Sequence, residues 1–191
     1  MKRREALQWV GVMMGGMLAT PALADIVEGR KALPTNAAAL PIFDQPTEAL
    51  LAEIADVIIP TTPDSPGAKA AGVAPFINTL VTDCYPKEYQ TRLLSGLARV
   101  DRETKAVYGK SFAEASNDQK TSILKLEEAN AYADRKAGSK EQSFWFIVKE
   151  LTLFGYFTSE IGATQALSYE YVPSRYEGCI PLKPGQKAWA T

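Results

Sequence analysis

Five stretches of this chain carry an apolar side chain every three or four positions, and three of them are closed by a proline or a glycine. That spacing is the period of a helix packed by one face, and no comparable alternation marks a strand. The first stretch takes Thr47 as its N-cap, turns Leu50, Leu51, Ile54, Val57 and Ile58 inward, and stops at Pro60. A rigid connection with Pro60, Pro63, Pro66 and Gly67 leads to a shorter helix over about 74–83, with Phe76, Ile77, Leu80 and Val81 apolar. Pro86 opens a third helix, which Gly109 ends. Ser116 or Asn117 caps a fourth, predicted to pack through Ile123, Leu124, Leu126, Ala129 and Tyr132 and to end at Gly138. The fifth, 141–158, is apolar on most sides through Phe144, Trp145, Ile147, Val148, Leu151, Phe154 and Phe157, which predicts a buried or interface helix. The expected fold is mainly α, a single domain of about five helices. An extended arm with Ile42 and Phe43 as small anchors precedes it, and an irregular, aromatic C-terminal tail follows.

Composition then narrows the chemistry. The chain has 191 residues, two cysteines, no histidine and a net charge of −1. Without histidine there is no Ser-His-Asp or Cys-His relay and no His-ligated zinc or haem. A charge near zero gives no footprint for nucleic acid. No glycine-rich phosphate cradle and no G-x-S-x-G elbow occur. Glu127, Glu128 and Glu150 stand among lysines and read as solvated helix faces. Glu160 follows the most apolar helix; it reads as a turn-stabilising acceptor, or more remotely as an acid or base with a raised pKa. Catalytic, cofactor-binding and metal residues are therefore not assigned within this chain.

The N-terminus reads as an address. Arg3 and Arg4 precede an apolar run from Trp9 to Ala19, shorter than the roughly 20 residues that cross a membrane. Ala22-Leu23-Ala24 is an A-x-A cleavage site, so residues 1–24 are expected to be a signal peptide and 25–191 the mature domain. The arginine pair resembles a twin-arginine export signal; a Sec signal with a basic n-region is the other reading. Either places the mature chain in the periplasm, where Cys84 and Cys179 pair with each other, stay reduced or link to a partner. A chain without a cofactor site gains from the folded-protein route if it escorts a loaded partner. Phe154, Tyr156, Phe157, Tyr169, Tyr171 and Tyr176, with Glu160 beside them, form the candidate partner surface or the core beneath it.

Two blocks carry a family resemblance. One is Leu51-Ala-Glu-Ile-Ala-Asp-Val-Ile-Ile-Pro60 with Thr62-Pro-Asp-Ser-Pro-Gly-Ala-Lys-Ala-Ala-Gly-Val73; the other runs from Phe154-Gly-Tyr-Phe-Thr-Ser-Glu-Ile-Gly to Cys179-Ile-Pro-Leu182. In order and spacing they resemble the gluconate 2-dehydrogenase subunit 3 family. The resemblance implies a non-catalytic small subunit of a membrane-associated sugar or sugar-acid dehydrogenase. It implies a glucose-methanol-choline-type flavoprotein large subunit that carries FAD, and in some complexes a cytochrome subunit with haem c. The small subunit would supply the twin-arginine signal, escort the flavoprotein across the inner membrane through the translocase, and stay bound to it as a heteromer peripheral to that membrane. A stand-alone periplasmic saccharide-binding or protein-interaction module is the alternative, and an enzyme using Glu160 a remote one.

Overall fold

The computed structural model describes residues 41–172, 174, 179 and 181–190. Among these the chain is mainly helical: α1 (Gln45–Ile58), α2 (Val73–Cys84), α3 (Lys87–Tyr108), α4 (Asn117–Lys136) and α5 (Phe144–Phe157), followed by a π-helical turn, Gly162–Ala166. No strand occurs among the described residues, only the isolated bridges Thr62–Ser65 and Ser168–Trp189. No helix among them is long and apolar enough to cross a membrane.

The helix starts follow local hydrogen-bonding chemistry. α1 begins earlier than the Thr47 cap expected from sequence, because the Asp44 carboxylate accepts the Thr47 N–H at 3.1 Å. Pro46 then falls in the first turn, where its missing N–H costs nothing. Ser116 caps α4 through a reciprocal box with Gln119. Gly109 ends α3 in the left-handed conformation at φ 69°, as its position after the apolar pattern required. α5 starts at Phe144 rather than near Glu141, after Arg92 has fixed the preceding loop by donating to the Gln142 carbonyl and the Glu141 carboxylate.

α5 is the centre of the bundle, packed against all four other helices and the π turn. Its apolar residues point in several directions because neighbours surround it: Phe144, Trp145, Ile147, Val148, Leu151 and Tyr156 are all buried. The inward stripe of α4 differs from the expected one. Lys120, Ile123, Leu124, Glu127 and Ala131 are buried, whereas Leu126 and Tyr132 are exposed. At about 100° per residue, 120, 123, 124, 127 and 131 share one face while 126 and 132 fall about 120° to either side, so register, not polarity, decides which side chains go in.

The arm enters through hydrogen bonds between its backbone and side chains of α2. Ile42 donates to Thr82 Oγ1, Phe43 donates to Asn78 Oδ1, and Asn78 Nδ2 returns a bond to the Phe43 carbonyl. Phe43 is in the core, so the anchor expected there is real. The signal segment, with Arg3, Arg4, Ala22 and Ala24, lies outside the described residues.

The proline-rich connection is fastened to α5. Gly67 sits so close to the backbone at Thr61 and Ile59 that a Cβ there would lie 2.7 Å from the Thr61 nitrogen. Tyr156 donates its one phenolic proton to the Pro66 carbonyl at 2.8 Å, and Ser65 Oγ, at 2.5 Å, donates to the phenol oxygen. Tyr156 is therefore a core strut that ties this loop to the central helix. Tyr156→Phe should cost about 1–2 kcal/mol, since it strips the donor from a part-buried carbonyl. Denaturant unfolding should show a lower midpoint with an unchanged slope. An unchanged midpoint would mean that the phenol does not hold the loop.

Candidate functional site

α3, α4 and the start of α5 enclose an open cleft of about 1050 Å³. Its floor is an ion pair. Arg99 from α3 donates through Nε to Glu127 Oε1 at 3.0 Å and through Nη2 to Glu127 Oε2 at 2.5 Å. Glu127 is only 2% exposed, which corrects its sequence reading as a solvated residue. Glu127 holds the already high pKa of Arg99 higher still, chiefly through this hydrogen bond. Arg99 also lies 6.0 Å above the Phe144 ring. Along the walls Arg92 pairs with Glu141, and Lys149 with Glu128, whose carboxylate also accepts from Trp145 Nε1. Glu150 accepts from Gln142. These pairs tie α3, α4 and α5 together across the cleft, while Glu103 Oε2 on its wall is buried without a hydrogen-bond partner.

A second network joins α1 to α4. Glu53 accepts from Lys120 at 2.8 Å and from Lys69, and Lys120 is buried beside the Phe112 ring. The Lys120 hydrogen bond, then that of Lys69, holds the Glu53 carboxyl below its ordinary range. A carboxyl with a lowered folded-state pKa contributes stability that is complete above its unfolded value, about 4.3, and is lost as pH falls through the folded value. The stability gap between wild type and Glu53→Gln should therefore be constant above about pH 5 and narrow steadily below about pH 4. Unfolding free energies measured from pH 7 down to 3 check this; a gap that widens in acid would refute it.

The aromatic residues expected to form one surface divide. Tyr156 is core. Phe154, Phe157, Tyr169 and Tyr171 are exposed, and Tyr176 lies outside the described residues. Glu160 is exposed in the turn after α5, where its backbone carbonyl accepts from Thr164. It lacks the apolar surround that an acid or base role would need. Cys84 and Cys179 are both exposed and not bonded to each other. No group of three or more His, Cys, Asp or Glu among the described residues could hold a metal ion.

One residue of this surface was missed from sequence. Phe76, read as part of an apolar face, is 38% exposed and its ring lies 5.9 Å from that of Phe154. The signal was available in angle: the buried stripe of α2 is Val73, Ala74, Ile77, Asn78 and Val81, and at about 100° per residue Phe76 lies roughly 130° from the centre of that stripe.

Comparison with known proteins agrees with this frame. The family model described as gluconate 2-dehydrogenase subunit 3 matches residues 45–174, from the first residue of α1 to beyond the π turn. No curated protein and no solved structure matches the chain.

Proposed function

The chain belongs to the gluconate 2-dehydrogenase subunit 3 family, and from that premise we propose that it is the non-catalytic small subunit of a periplasmic, membrane-associated, FAD-dependent sugar or sugar-acid dehydrogenase. In this role it escorts a flavoprotein large subunit through twin-arginine export and then stabilises the complex. The flavin, and any haem c, belong to the partner subunits. The observation that carries the reading is the family match across the whole helical bundle. Three features support it: the arginine pair ahead of a short apolar run, the absence of histidine, and a set of cleft charges already engaged in structural pairs.

The test is expression of the flavoprotein with and without this chain, followed by fractionation. With the chain, flavin-dependent sugar oxidation should appear in the periplasmic and membrane fractions. With Arg3→Lys/Arg4→Lys, both proteins should remain in the cytoplasm. A flavoprotein that reaches the periplasm equally well without this chain would refute the escort role.

A further inference from the structure

We draw no further inference here: the strongest candidate, the charged cleft between α3, α4 and the start of α5, carries no site, because the unpartnered acceptor on its wall, Glu103 Oε2, is itself closed off from solvent and nothing in the structure shows what would fill the space.

Discussion

Gly96→Ala should destabilise the protein by about 2 kcal/mol or more, although it replaces glycine inside a helix. In isolation the change favours α3 by about 1 kcal/mol, because alanine loses less backbone freedom than glycine. The opposing effect comes from α5. A methyl group at 96 would lie 2.1 Å from both Cγ and Cδ2 of Phe144, and 2.8 Å from its Cβ. Turning the ring moves Cδ2 but not Cγ, and even a change of χ1 leaves Cβ, which is fixed to the α5 backbone. Phe144 is itself buried, so its ring has no empty space to enter. The helices must separate where they cross, and overpacking of this kind typically costs about 1–3 kcal/mol and sometimes more. For a domain of this size each kcal/mol moves the melting temperature by about 2–4 °C. The expected result is a loss of at least about 4 °C in thermal unfolding. Gly96→Ala with Phe144→Leu should lose less than the sum of the two single changes, because the smaller side chain relieves the clash. A Gly96→Ala variant as stable as wild type would mean that α3 and α5 do not approach this closely.

Much of the fold was legible in the sequence because breakers and caps act locally. Gly109 and Gly138 end their helices with positive φ, and Ser116 caps the next, as residue type alone indicates. The centrality of α5 was legible for a different reason: a helix apolar on most sides must be surrounded. What failed was the treatment of charge as a sign of exposure. Lys120 and Glu127 sit in register with Ile123 and Leu124, and their partners, Glu53 and Arg99, lie far away in sequence on other helices. Periodicity could have suggested burial, but only the tertiary fold supplies the opposite charge that makes burial tolerable. The first cap is Asp44 and not Thr47 because both residue types cap well and Pro46 is tolerated in a first turn. The candidate surface divided for a similar reason. Tyr156 and Phe157 are adjacent in sequence, so one turns toward the Pro66 loop and the other toward solvent. Phe76 became part of the surface only once α2 was laid beside α5.

Division of labour between the two sides of α5 follows from the same geometry. Its first turn joins the charged cleft, where Phe144 lies under Arg99. Its last turns form the uncharged seam with α2. One helix thus carries both the packing that holds the bundle together and an exposed apolar face at its end.

The second large effect is expected at Arg99 and Glu127, and it should be asymmetric. Arg99→Ala leaves a carboxylate that is 2% exposed without its bidentate partner, and breaking a buried pair from this side costs about 3–5 kcal/mol. Glu127→Ala leaves a guanidinium that is 41% exposed and can turn into water or toward Glu103, whose carboxylate already lies 3.9 Å away. Its cost should be smaller, about 1–3 kcal/mol, mostly lost packing and the lost charge-assisted bonds. The pair with both groups replaced, Arg99→Met with Glu127→Leu, should recover much of the loss, since an apolar pair of similar volume needs no compensating charge. Equilibrium unfolding of the three variants measures the three losses side by side. If Glu127→Ala proved more damaging than Arg99→Ala, the burial that distinguishes the two partners would not govern the energetics. The cleft would then owe its stability to Glu127 packing against α3, and not to the neutralisation of a buried charge.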